Sequence, residues 1–538
     1  MSVQGASEAA FPDLYEAGIA ELQRGLDKGL FTSVDLVKAY LVRIEEVNLK
    51  GAALHAVIET NPSALSQAAA LDAERKEKGT RGLLHGIPLL LKDNIATLHE
   101  EGMTPIRDCR PPLLMSNIGS YALLDSEVAK DSFVAAKLRA AGAVFVGKTN
   151  MSEWANFRGQ VPNGFSGRGG QTLCPYYPNG DASGSSSGSG VAMAIGLAAG
   201  SLGSETDGSI VSPSSRNNIV GIKPTIGLVS RTGVIPISAT QDTAGPMCRS
   251  VEDAAILLSV IAGPDPEDQA TESQPKEIPN YMDALDPNAL RGKKLGVPRK
   301  FIRELIPVEE FNKALDILRS LGAEIVDPAD FPNAEELKES KAERTVLTVE
   351  FKVGVNKYIS GLAKRPPGIN NLADLIKFNE ENADKELPPP YHTDQSQFIK
   401  SEASAVDEEY YIALAEDYNL GRRDGIDATL QKYDLDAIVL PTSYSYTSKA
   451  AAIAGYPLVT VPLGFQPESA EPVPNPPAPL HTEAPGLPFG ISFMGTAYSE
   501  FALVSFAYAF EQATHVRLKG RKAYVEAIPK TQLKDVIS

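Results

Sequence analysis

Residues 181–224 read DASGSSSGSGVAMAIGLAAGSLGSETDGSIVSPSSRNNIVGIKP. Seven glycines and serines fill 184–190, a mostly apolar run follows over 191–202, and a second Gly/Ser turn, GSETDGSI, occupies 203–210. Small residues crowded in this way open backbone conformations closed to larger side chains. They also let N–H groups approach a ligand closely. Two such turns around a short apolar segment can gather serine hydroxyls and backbone donors into one pocket. Composition alone would suggest a flexible spacer. A spacer does not enclose an apolar run, nor lead into IVGIKPTIGLVS, which reads as buried strand and turn.

Outward from this stretch, helix and buried strand alternate. Residues 12–80 read as helices, with Leu36, Tyr40, Leu41 and Ile44 on one face of the second. GIPLLLK at 86–92 is a continuous apolar run ending in Lys92, Asp93 and Asn94, the pattern of a strand buried on both faces. Residues 131–149 read as a helix and then the strand AVFVGK. LDAIVLP (435–441), YPLVTVP (456–462) and FGISFMG (489–495) are further strands, and 500–514 is a closing amphipathic helix. This order predicts an α/β fold around a large, mainly parallel or mixed sheet. Residues 1–80 are expected as a helical segment packed on a single catalytic domain over 81–538, centred on 170–250. Three stretches read as surface additions: 102–118, which is aperiodic and proline-broken, the polar helical 350–405, and 467–488, a Pro-rich loop expected to be solvated polyproline II.

The chain of 538 residues carries a formal charge of −17, which argues against a nucleic-acid groove or an anionic membrane surface as partner. No basic segment precedes an apolar one at the start, and the longest apolar run is well short of the ~20 residues needed to span a bilayer. A soluble, cytoplasmic protein is expected, as monomer or homodimer. Cys109, Cys174 and Cys248 are too few and scattered for a disulfide framework or zinc site. No dinucleotide or phosphate-binding loop is present, so no cofactor and no metal are expected.

Ser186 lies in a G-x-S-x-G pattern at 184–188, but the preceding PYYPNGDAS consists of turn formers where a nucleophile elbow needs a strand. A serine nucleophile without histidine needs another base, and a neutral lysine can serve. Lys92 ends an apolar strand, where desolvation depresses a lysine pKa. An ion pair with Asp93, or snorkelling to water, explains the same residue equally well.

HGIPLLLKDNI, KTNMSEWANFRG, SGSSSGSGVA, GSETDGSIVSPSS and GIKPTIGLVSRTGVIPIS, in this order along the whole chain, resemble the amidase signature family. FPDLYEAG, DAIVLP and PFGISFMG add to the likeness. GFSGRGGQT, GSETDGSIVSP and ISATQDTAGPM are most similar to its peptide amidase branch. The resemblance implies a Ser–cis-Ser–Lys triad of Ser209 as nucleophile, Ser185 as bridging serine after a cis peptide bond, and Lys92 as base. It implies an oxyanion hole from the N–H groups of Thr206, Asp207, Gly208 and Ser209. Gly184, Ser186, Gly170 and Gln171 are implied substrate contacts. The implied activity is hydrolysis of a small hydrophobic or C-terminal peptide amide through an acyl-enzyme.

Two departures from the family pattern matter. Val211 stands where many relatives carry arginine, which favours an uncharged acyl group and an amidase over a glutamyl-tRNA(Gln) amidotransferase subunit. Residues 103–118 interrupt a turn that lines the site in relatives, which leaves room for a lid or for a catalytically impaired chain.

Overall fold

The computed structural model describes residues 11–98, 118–302, 307–442, 447–477 and 479–537. An eleven-stranded mixed sheet runs through the molecule. In chain order its strands are β1 (Val57–Thr60), β2 (Pro88–Lys92), β3 (Val144–Thr149), β4 (Gly200–Glu205), β5 (Val220–Lys223), β6 (Thr243–Cys248), β7 (Lys294–Gly296), β8 (Glu324–Val326), β9 (Ala437–Thr442), β10 (Leu458–Phe465) and β11 (Pro488–Met494). Across the sheet they lie in the order β1-β3-β2-β4-β6-β5-β10-β11-β9-β7-β8. β2 pairs in parallel with β3 and with β4, whereas β4–β6, β6–β5 and β5–β10 are antiparallel.

Successive strand side chains point to opposite faces, and each face is covered. Leu89, Leu91 and Phe145 join one apolar cluster, with Ala254 and Leu258 of helix Val251–Ile261 and Phe506 and Phe510 of helix Glu500–Thr514. Leu90, Val144 and Val146 join another, with Val37 and Ile44 of helix Ser33–Val47 and the apolar half of helix Ser187–Ala194. A strand sandwiched in this way has no solvent face, which is why GIPLLLK reads as an unbroken apolar run. Helix Ser33–Val47 starts at a capping box in which Thr32 and Asp35 satisfy each other's backbone N–H groups.

Helix Ser187–Ala194, hereafter α1, is wholly buried. A Cβ on Gly188 would sit 2.2 Å from the Ala56 carbonyl and 2.5 Å from that of Asn150, so only glycine allows this approach. Helix Val211–Arg216, hereafter α2, follows the second Gly/Ser turn.

Three expectations need correction. Residues 12–80 are not all helical: Val57–Thr60 forms the sheet's edge strand, antiparallel to β3. Four half-buried residues are too few to show a period. The Pro-rich 467–488 carries a hairpin of Val473–Asn475 with Leu480–Glu483. Burial of Leu480, Ala484 and Leu487 holds it against the body. Residues 350–405 are helical, but their first helix, α3, begins earlier and spans Ala342–Ser360. Phe351, Val355 and Ile359 from α3, with Leu372, Leu375 and Phe398 beyond it, form a core with Trp154 and Phe157. The segment is therefore an integral wall and not a surface addition. Of the 102–118 stretch, residues 102–117 lie outside the described residues, as does Cys109.

Candidate active site

Lys92 is the last residue of β2 and has no exposed surface. Its Nζ lies 2.7 Å from Ser185 Oγ, 3.0 Å from Ser204 Oγ and 3.1 Å from the Ser204 carbonyl. Asn94 Nδ2 donates to the same Ser204 hydroxyl at 2.9 Å. Burial pushes the Lys92 ammonium down to about 7, and the carboxylates of Glu205 and Asp242 pull the other way. Of the two local readings, the ion pair with Asp93 is not what is found. Asp93 accepts the Gly119 N–H and faces Arg168, while Lys92 faces hydroxyls.

Ser185 sits in the first Gly/Ser turn, and the peptide bond between Gly184 and Ser185 is cis. Asp181 accepts the Ser183 N–H at 2.7 Å and also receives the amides of Asn163 and Asn475. The hairpin of the Pro-rich segment thereby helps to hold the turn. Ser152 N donates to the Ser185 carbonyl at 3.0 Å. A Cβ on Gly184 would lie 2.4 Å from Ser152 Oγ, so a larger residue there would have to displace the Ser152 side chain.

The second turn follows β4. Glu205, fully buried, accepts the N–H groups of Ile210 at 2.6 Å and Val211 at 2.9 Å through one oxygen, capping the start of α2. Gly208 has φ +79°, which an L side chain rarely adopts, and so bends the chain back. The N–H groups of Asp207, Gly208 and Ser209 meet no acceptor among the described residues. The two turns are tied by Ser186 N donating to the Ser209 carbonyl at 3.2 Å.

Gly184, Ser185, Thr206, Asp207, Gly208 and Ser209 all line one cavity of about 280 Å³. Ile237 and, from α3, Glu343, Arg344 and Leu347 line it as well. No local motif marks these α3 residues; they reach the cavity from far along the chain. Burial and the nearby Glu343 carboxyl push Asp207 well above the usual carboxylate range, against a hydrogen bond from Ser448 Oγ. Burial likewise raises Glu343.

Three expected substrate contacts lie outside the cavity lining. The Ser186 hydroxyl points back to the Ser204 carbonyl at 3.2 Å and serves the turn. Gly170 and Gln171 pair with Phe165–Ser166 as a two-stranded ribbon. Gln171 Nε2 donates to the Asn163 carbonyl at 2.6 Å, so it reaches the cavity only through Asn163, which lines it. Ser204 is a lysine partner that the sequence reading does not single out, although it lies at the end of β4, directly before Glu205. Among the described residues no group of His, Cys, Asp and Glu is placed to hold a metal ion. No helix among them is long and apolar enough to cross a membrane.

Known proteins resemble this chain over most of its length. A sequence model of the Amidase family matches residues 35–504. An amidase-named protein of Arthroderma benhamiae is 40% identical, covering 98% of this chain and 90% of its own. The structure of the native peptide amidase from Stenotrophomonas maltophilia superposes with a TM-score of 0.82 at 41% identity, covering 96% of this chain and 99% of its own. A glutamyl-tRNA(Gln) amidotransferase subunit from Alkaliphilus metalliredigens is 30% identical over 92% of this chain and 96% of its own.

Proposed function

The chain belongs to the amidase family and is a hydrolase of amide carbon–nitrogen bonds, and from that premise we propose that it hydrolyses short, uncharged peptide amides and aryl amides through an acyl-enzyme on Ser209. The observation that carries this reading is the 2.7 Å contact between a desolvated Lys92 and Ser185, in a site whose cavity also holds Ser209. Neutral Lys92 takes the proton of Ser185, which takes that of Ser209. The Ser209 oxygen attacks the amide carbonyl. The free N–H groups of the 206–209 turn receive the oxyanion, and losing one such donor typically costs ~100- to 1,000-fold in rate. The proton returns through Ser185 to the departing amine, and water then releases the acid.

The acyl preference rests on the cavity's charges. Val211 supplies no cation next to Ser209, and Asp207 and Glu343 both border the space. A carboxylate on the acyl side would be desolvated there beside two acidic residues, with Arg344 the one cation among the described lining residues, and burying that charge is costly. The experiment compares kcat/KM for a peptide ending in Phe-amide with that for free glutamine, with Ser209→Ala as control. A higher value for the peptide amide is expected. A higher value for glutamine moves the amidotransferase reading ahead, which the relatives at 30% identity keep in view. No turnover of either points to the impaired chain considered for the 103–118 segment.

A further inference from the structure

The carboxylate of Asp242 is buried, 7% exposed, and bonds two segments that contribute to the site. Oδ1 accepts the Thr206 hydroxyl at 2.6 Å. Oδ2 accepts the N–H groups of Ile237 at 2.8 Å and Ser238 at 2.9 Å. Thr206 opens the turn whose next three N–H groups meet no acceptor among the described residues, and Ile237 lines the same cavity. One side chain therefore joins the donor turn to a second segment of the cavity lining. Gln241 adds a second link, with Nε2 lying 3.4 Å from the Thr206 carbonyl and 3.0 Å from Glu343 Oε1.

The need for such a link follows from what lies behind it. Ser238 and Asp242 also line a second, larger cavity of about 660 Å³. Segment 237–242 is thus a partition between two cavities, and hydrogen bonds help to fix it there: besides those to Asp242, Glu350 Oε2 accepts from Ser238 Oγ and from Thr240 N at 3.2 Å. Those to an ionised acceptor are roughly twice as strong as neutral ones.

We propose that Asp242 is a positioning residue: by gripping Thr206 against the partition at Ile237 and Ser238, its carboxylate holds the donors of the 206–209 turn in register with Ser209. The inference rests on the acyl-enzyme reading of Ser209. Asp242 touches no substrate atom in this role. Loosening its grip lets the donor turn drift relative to the oxyanion. Misplacement on the scale of 1 Å costs ~100-fold in rate.

The test uses Thr206→Val, Thr206→Ser, Asp242→Ala and the Thr206→Val/Asp242→Ala double variant, with kcat expressed per site titrated by a fluorophosphonate. Titration counts only folded, competent sites, so poor folding of one variant does not mimic the effect. Thr206→Val is expected to lower kcat ~10- to 100-fold with KM changed less than ~3-fold. Thr206→Ser, which keeps the hydroxyl, should recover most of the wild-type kcat. The double variant should fall no further than Asp242→Ala alone, because one linkage is broken only once. The proposal is overturned if Thr206→Val keeps kcat per site within twofold, or if the double loss is the product of the single ones. Failure of the Ser209 reading looks different: wild-type protein would then neither take the label at Ser209 nor turn over an amide.

Discussion

Lys92 and Lys223 occupy matching places, each ending a buried strand of the sheet with no exposed surface. Burial pushes both ammonium groups down, to about 7 and about 8, and in both the Glu205 carboxylate is the leading opposing charge. Their partners differ. Lys223 Nζ donates to the Tyr456 carbonyl at 2.6 Å and lies 3.4 Å from that of Pro224. A carbonyl oxygen has no proton to yield, so this lysine can only bind. Lys92 faces two hydroxyls, and a hydroxyl both gives and accepts a proton. Lys148 at the edge side of the sheet resembles Lys223, with burial pushing it down to about 8 and the Ile95 carbonyl as acceptor. Desolvation is therefore shared by three lysines, and between Lys92 and Lys223 the acceptor decides which one can act as a base.

The comparison breaks most sharply at kcat. Lys92→Ala, Ser185→Ala and Ser209→Ala are each expected to lower kcat by several orders of magnitude, with little further loss on combination, because the groups act as one relay. Lys223→Met should leave kcat per labelled site within a few-fold of wild type. If Lys223→Met were as damaging per labelled site as Lys92→Ala, the identity of the acceptor would not be what separates them.

The pH profile sharpens it further. Only neutral Lys92 accepts a proton, so kcat/KM should rise through an apparent pKa near 7 and level off above it. That value belongs to the coupled set of Lys92 and its partners. Glu205→Gln keeps an acceptor for the Ile210 and Val211 N–H groups but removes a charge that raises Lys92. It should move the limb to lower pH, which a rate–pH series on both proteins measures. Activity that is highest near pH ~5 and falls as pH rises would contradict a lysine base.

The smallest expected effect is on stability. Lys223 has a native pKa of about 8 against an ordinary value of 10.5. Between these values the unfolded chain holds a proton that the native one does not, so unfolding takes up protons. Stability from this group therefore rises with pH across that window, with a limiting slope of about 1.4 kcal/mol per pH unit. Lys223→Met should flatten the pH dependence of the unfolding free energy between about pH 8 and 10. Denaturant melts of both proteins across that range give the difference, and parallel curves would mean that Lys223 stays charged when folded.

Reading the chain from residues alone reached what is written locally. The burial of β2 is legible because a strand covered on both faces must be apolar throughout. Lys92, Ser185 and Ser209 stand out because the two Gly/Ser turns and the strand end are short contiguous motifs, and the family resemblance gives them the roles proposed for them. Ser186 shows where a local pattern misleads. It has the central place in G-x-S-x-G, yet its hydroxyl points back into the turn at the Ser204 carbonyl. Which way a serine points in a glycine-rich turn depends on backbone angles that composition does not specify.

Sequence by itself determined the alternation of apolar strands and helices, the small residues that permit close backbone approach, and the position of a lysine at the end of a buried strand. Each is a property of consecutive residues. Tertiary structure alone decided that Ser204 shares Lys92 with Ser185, that Glu343 and Leu347 close the cavity, and that Asp242 joins Thr206 to the partition. These depend on contacts between residues tens to more than a hundred positions apart, and only packing of the sheet and its covering helices brings such groups within hydrogen-bond reach.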